Sequence, residues 1–185
     1  DITERVKAKD KIEQLASKLS RYLSPQVYQS IFSGKKNVKI EAYRKKLTVF
    51  FSDIKGFTEI TDRLEPEVLS TLLNSYLNEM SKIALKYGGT IDKFVGDAIL
   101  IFFGDPETKG EKEDAHSCVL MALEMQERMH HLKNLWEGQG ITNPLEIRIG
   151  INTGYCNVGN FGSENRLDYT IIGGEVNLAL SLIHI

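Results

Sequence analysis

Apolar residues recur along this chain at two periods, and the switches between them divide it into elements. Near the start, Ile12, Leu15, Leu19 and Tyr22 are spaced three, four and three apart, a short heptad-like stripe on an otherwise charged helix. Ser24-Pro25 reads as a cap with proline at the first helical position, Val27, Tyr28, Ile31 and Phe32 form one apolar face, and Gly34 is the stop. Residues 35–46 are polar and basic and read as a linker. An apolar run predicts a strand over 47–52. Helical spacing returns with Val68, Leu69, Leu72, Leu73, Tyr76, Leu77, Met80 and Ile83, predicting a helix over 66–87 between Pro66 and Gly88-Gly89. Strands are expected over 90–95 and 98–103, joined by a tight Gly96-Asp97 turn. A second long helix is expected over 112–136, with Ala115, Val119, Ala122, Met129 and Leu132 inward and its methionines as core filler. A strand over 145–152 should end at Thr153-Gly154, and one near 168–172 should lead into a helix from about Gly174.

The resulting order of strands and helices, with two long helices on one face, predicts an α+β sandwich with a mostly antiparallel sheet. A chain of 185 residues with 42% hydrophobic content can bury one such core and carry an appendage. The expected division is 1–46 as helix and linker and a main domain from 47. The chain opens inside a helix with no start signal, so an upstream domain is expected. Residues 1–46 hold 12 Lys or Arg against 5 Asp or Glu, which leaves the rest of a chain of formal charge −2 acidic. That leader reads as a solvated helix and linker, and the charge makes no case for nucleic acid. Cys118 and Cys156 form no motif and are expected to be reduced thiols, in a cytoplasmic domain. No apolar run approaches the roughly 18 residues of a membrane span, and the start lacks a signal-peptide pattern.

Asp53 follows Leu47-Thr48-Val49-Phe50-Phe51-Ser52, and Asp97 sits between Phe94-Val95-Gly96 and Ala98-Ile99-Leu100. Each carboxylate therefore stands at the edge of an apolar strand. Brought side by side they would repel, and a divalent cation is the ordinary remedy. Mg²⁺ needs only one or two carboxylates, because waters and phosphates complete its shell. The backbone carbonyl of Ile54 is a further candidate ligand. Gly56, Phe57 and Thr58 form a turn whose N–H groups could meet phosphates. Taken singly, Asp53 and Asp97 also suit plain turn positions, Arg148 a strand residue reaching solvent, and Asn177 a helix cap.

Four ordered segments together carry a resemblance. Phe51-Ser52-Asp53-Ile54-Lys55-Gly56-Phe57-Thr58, Asp92-Lys93-Phe94-Val95-Gly96-Asp97, Arg148-Ile149-Gly150-Ile151-Asn152-Thr153-Gly154 and Asp168 through Ala179 closely resemble the class III nucleotidyl cyclases, bacterial adenylate cyclase catalytic domains in particular. The resemblance covers 47–179 and implies the ferredoxin-like cyclase sandwich. It also implies roles. Asp53, Ile54 and Asp97 would hold two Mg²⁺ ions, with Mn²⁺ an alternative. Gly56, Phe57, Thr58 and Gly96 would line the phosphates, and Arg148 would pair with them. Lys93 and Thr170 occupy the base-reading positions: an ammonium donates to adenine N1, and a hydroxyl can accept from the 6-amino group. Guanylate-type pockets usually carry Glu at the Lys93 position, although Lys93 could also donate to guanine O6. Asn177 would orient the ribose or the transition state. The family pairs two domains head to tail, so a homodimer would form two sites.

The implied activity is conversion of ATP to 3′,5′-cyclic AMP and pyrophosphate in signal transduction. A guanylate cyclase and a non-catalytic nucleotide-binding or dimerisation module stand as alternatives. One departure favours the latter: the family's arginine four residues past the asparagine is Ser181 here. The closing hairpin and phosphate-binding lysine that the resemblance implies are not among these 185 residues, so an incomplete sandwich with feeble activity at most is expected of this chain. Residues 180–185, Leu180-Ser181-Leu182-Ile183-His184-Ile185, match the translation of a transposon-end sequencing adapter, and are expected to be a non-native tail.

Overall fold

The structure is a computed structural model that describes residues 2–33, 41–138, 145–163 and 165–184. The chain separates into two units, 1–39 and 40–185. In the first, α1 (Ile2–Leu19) runs through a short 3-10 turn (Ser20–Tyr22) to α2 (Pro25–Phe32). Ser24 caps α2 as expected, its hydroxyl accepting from Val27 N–H at 3.3 Å, and Pro25 stands in the first turn. Helix α2 ends at Phe32 with Ser33 as its cap; Gly34 lies outside the described residues. The stripe residues Ile12 and Leu15 are exposed.

The second unit is built on a five-stranded sheet of order β2-β3-β1-β4-β5 in which every neighbouring pair is antiparallel. The strands are β1 (Ala42–Ile54), β2 (Thr90–Val95), β3 (Ala98–Phe103), β4 (Ile147–Ser163) and β5 (Arg166–Ile172). The helices are α3 (Phe57–Thr61), α4 (Pro66–Tyr87), α5 (Glu111–Gly138) and α6 (Gly174–Leu182). β1 is central and covered on both faces, which explains its continuous apolar run. Phe50 and Ile54 point to one core with α4 and α5. Leu47, Val49 and Phe51 point to the other, under α6. Met121, Met125 and Met129 are buried in the α4–α5 core, as filler should be.

Several expectations need correction. β1 begins at Ala42, not 47, so 42–46 are strand rather than linker. Its polar half is held by the ladder to β4, from Ala42↔Gly159 to Lys46↔Tyr155. Its cations find partners on neighbouring elements: Arg44 lies 5.3 Å from the Tyr155 ring, and Lys46 lies 2.9 Å from Glu111. β4 does not stop near Thr153 but continues to Ser163, because β1 and β5 supply partners along its length. Val119, expected inward on α5, is exposed; the buried seam runs instead through Asp114, Cys118, Met121, Met125 and Met129. Short α3 was not foreseen as a helix of its own.

Helix α6 lies directly against β4 at Gly150. A Cβ there would sit 2.2 Å from the Ala179 carbonyl oxygen and 3.1 Å from Leu182 Cβ. Gly150→Ala should therefore lift α6 and destabilise the domain by about 1–3 kcal/mol, the usual cost of overpacking. Thermal unfolding of the variant checks this; an unchanged Tm would mean that α6 does not bear on Gly150.

Candidate active site

The register of the central strand assembles the first group. Asp53 on β1 faces Arg148 on β4. The guanidinium closes a two-point pair on the carboxylate, Nε–Oδ1 3.0 Å and Nη2–Oδ2 2.6 Å. Asp97 arrives from the turn between β2 and β3. In that turn only Gly96 has positive φ, 64°, which is the II′ pattern with glycine first. The Ile54 N–H donates to Asp97 Oδ2 at 2.6 Å, so β1 and the hairpin meet at one point. Burial pushes the Asp97 carboxyl above its ordinary value, and the neighbouring charge of Asp53 adds to this. The Ile54 amide and Arg148 oppose both effects. Beneath them the buried Tyr76 phenol is also pushed up, by burial first, with Asp97 and Asp53 adding.

This donor set suits a hard divalent cation: two carboxylates brought to one end of a sheet, with the charge of Asp53 felt at Asp97. Among the described residues no group of three or more His, Cys, Asp or Glu forms a complete cage. Two carboxylates are nonetheless what Mg²⁺ ordinarily takes from protein. Arg148, expected on phosphates, is here the counter-cation of Asp53. Next to the pair, Gly56 adopts left-handed φ of 68° as it caps α3. Nothing lies within 4 Å of a Cβ built there, so conformation rather than crowding calls for glycine. Phe57 packs against the core and Thr58 is exposed.

The second group lies where β2 meets β5. These are the two outer strands, so the sheet curls until its edges touch. The contact is made by Asp92. Its Oδ2 accepts from the Thr170 hydroxyl at 2.5 Å and from Ile171 N–H at 3.3 Å. Lys93 Nζ stands 3.3 Å from Asp92 Oδ1, an ionic contact without hydrogen-bond alignment. Lys93 and Thr170 thus stand beside the two oxygens of one carboxylate. Burial pushes the Asp92 carboxyl up, while Thr170, Lys93 and Ile171 pull it down.

Asn177 is exposed on α6, and Ser181 is exposed one turn further on. The cap of α6 is Gly173, so Asn177 does not cap it. Asn152 instead ties β4 to the start of this helix, donating to the Glu175 carbonyl at 3.0 Å and to its carboxylate at 2.7 Å.

Two carboxylates were not singled out from sequence. Asp92 carried a signal, since an acid between Ile91 and Phe94 inside a strand must find donors. Asp105 precedes Pro106 and reads as an ordinary turn acid. It is 2% exposed. It accepts from the hydroxyls of Tyr43 and Tyr169 and lies 3.1 Å from Lys45 Nζ, while its carbonyl takes the Thr90 hydroxyl at 2.7 Å. It joins β1, β5 and β2 on a second line across the curled sheet.

Known proteins resemble this chain in sequence and fold. Residues 38–182 match the adenylate and guanylate cyclase catalytic domain. The terminal-differentiation-specific adenylate cyclase of Dictyostelium discoideum is 34% identical over 171 residues, which is 91% of this chain and 8% of that protein's length. The chain therefore spans a small part of that relative. The solved adenylyl cyclase CyaB of P. aeruginosa is 66% identical with a TM-score of 0.77, over 78% of this chain and 74% of that one. The solved guanylyl cyclase Cya2 is 39% identical with a TM-score of 0.74, over 78% and 72% of the two chains. With its antiparallel sheet, paired helices and ordered motifs matched over most of its length, the chain belongs to the class III adenylate and guanylate cyclase catalytic-domain family.

Proposed function

We propose that this domain is an adenylate cyclase that converts ATP to 3′,5′-cyclic AMP and pyrophosphate. The observation that carries the adenine assignment is the juxtaposition of Lys93 and Thr170 across Asp92. Lys93 offers only donors, which suits adenine N1; Thr170 can accept from the 6-amino group. Asp53 and Asp97 would hold Mg²⁺, two ions per site, with Mn²⁺ able to substitute. Bound there, the metal supplies Lewis-acid activation of the ribose 3′-hydroxyl and offsets phosphate charge. The backbone at Gly56, Phe57 and Thr58 approaches the phosphates, with Gly96 beside them. The Arg148 guanidinium suits phosphate as well as carboxylate. Asn177, exposed on α6, orients the ribose.

The site reads as shared between two copies paired head to tail. One face gives Asp53 and Asp97, and the partner gives Lys93, Thr170 and Asn177. Helices α1 and α2 fit a signalling leader, and the exposed Ile12 and Leu15 offer a stripe for helix pairing. Among the described residues no helix is long and apolar enough to cross a membrane.

One observation favours a second reading. Ser181 occupies the family's arginine position, and its hydroxyl donates to the Leu178 carbonyl at 2.8 Å. It brings no cation to the reacting phosphate. A domain that binds nucleotide and dimerises without efficient turnover fits that residue.

Three measurements test these readings. With Mg²⁺ or Mn²⁺, ATP should be cyclised in preference to GTP, and EDTA should stop the reaction; equal or better GTP turnover would sink the adenine assignment. Asp97→Asn and Asn177→Ala should each be inactive with Tm preserved, and mixing them should restore one intact site per heterodimer. No recovery despite demonstrated subunit exchange would place each site within one chain. Ser181→Arg should raise kcat by about 10²–10³, the usual value of one preorganised charge stabiliser. No gain would refute the role given to that position.

A further inference from the structure

Asp92 is buried, with its side chain 1% exposed, and nothing in the catalytic scheme uses it. Its position is itself unusual. Between β2 and β3 the register runs Ile91↔Ile101 and then Lys93↔Leu100, so two steps on β2 meet one on β3. Asp92 is the extra residue of a bulge, and bulges re-aim side chains. Here the carboxylate is turned off its own ladder and across to β5, the opposite edge of the sheet.

Three donors converge on it: the Thr170 hydroxyl, the Ile171 amide and, through charge, the Lys93 ammonium. That convergence favours the ionised carboxylate, which can only accept. A threonine hydroxyl has one hydrogen to give. At 2.5 Å from Asp92 Oδ2 that hydrogen is committed, and Thr170 has only lone pairs left for a ligand. Lys93, beside Oδ1, keeps N–H donors for a ligand and has no lone pair.

We propose that Asp92 is the positioning residue that sets nucleotide selectivity, by fixing Thr170 as an acceptor beside the donor Lys93. The pair then presents acceptor and donor to positions 6 and 1 of a purine. Adenine answers with its 6-amino group and bare N1. Guanine in the same placement sets O6 against the Thr170 lone pairs and N1–H against an ammonium. A free hydroxyl would rotate and donate to O6, removing the first mismatch. Asp92 blocks that rotation. The inference rests on the adenylate cyclase reading and explains how its selectivity is held.

The test compares kcat/KM and competition Kd for ATP, GTP and ITP in the unsubstituted protein, Asp92→Val, Asp92→Ser, Thr170→Val and the Asp92→Val/Thr170→Val double variant. ITP carries O6 and N1–H without the 2-amino group, so it isolates the polarity in question. The unsubstituted protein should reject ITP as it rejects GTP. Asp92→Val should lower the ATP-to-GTP and ATP-to-ITP ratios by roughly 10- to 100-fold, the scale of one unsatisfied buried polar group. Asp92→Ser, which can donate or accept and tolerates burial better, should lower them in the same direction. In the Thr170→Val background, Asp92→Val should move the ratios no further. A purely structural Asp92 would weaken all three nucleotides alike and leave the ratios in place. Unmoved ratios in a folded Asp92 variant, additive effects in the double variant, or ITP handled as well as ATP would each overturn the proposal. Retained ATP preference with unmoved ratios defeats this inference alone, whereas GTP preference in the unsubstituted protein defeats the adenylate reading with it.

Discussion

Like charges held at one end of a sheet set the terms for the rest of this domain. Asp53 comes from β1 and Asp97 from the turn between β2 and β3, and the charge of Asp53 adds to the burial that raises the cost of ionising Asp97. They stay together because the surroundings leave little freedom. Asp53 is gripped by a guanidinium at two points, and Asp97 is pinned to the backbone of Ile54. Both grips depend on register. A one-residue slip of β1 against β4 would send Asp53 and Arg148 to opposite faces. The buried apolar flanks forbid that slip, since it would also turn Val49 and Phe50 inside out. The placement of the two carboxylates is thus enforced by hydrophobic patterning several residues away.

The same logic operates at the other end of the curl. Five strands do not close a barrel, yet β2 and β5 touch through Asp92, and Asp105 draws β1, β2 and β5 together. Buried carboxylates are costly without donors, and a half-satisfied one would be worse than an apolar side chain. Asp105 is met by two tyrosine hydroxyls and the Lys45 ammonium, and Asp92 by the Thr170 hydroxyl and the Ile171 amide of β5, with Lys93 beside it on its own strand. Such bonds cannot form until the sheet has curled. They select the curled state over a flat one more than they add net stability.

Much of this was legible in the sequence, and the reasons are physical. Strands 90–95 and 98–103 and helix 66–87 were read to the residue, because Gly96-Asp97, Pro66 and Gly88-Gly89 punctuate them with strong backbone preferences. That Asp53 and Asp97 stand at one end of the sheet was legible because each interrupts an apolar run. What failed was whatever depends on partners far along the chain. The polar start of β1 looks like a linker until Glu111, Asp105 and Tyr155 are placed beside it. The length of β4 follows from two neighbours that supply its ladder, not from its own composition. Asp105 looks like a turn acid, and only the fold shows it buried among two tyrosines and a lysine.

The site therefore divides into two groups with different supports. The carboxylates, Arg148 and the Gly56 turn hang on β1, the hairpin and β4. Lys93 and Thr170, the pair proposed to read the base, hang on a bulge and on the meeting of two outer strands. The two groups share the β2–β3 hairpin, but the β1–β4 register that pairs Asp53 with Arg148 does not pass through the bulge at Asp92. The same fold is found in a solved adenylyl cyclase and a solved guanylyl cyclase, so the architecture alone does not select the base. It also follows why an edge location suits that task. An outer strand keeps a row of amides free of the ladder, and Ile171 N–H is spent on orienting Asp92. A central strand has no such donor to give.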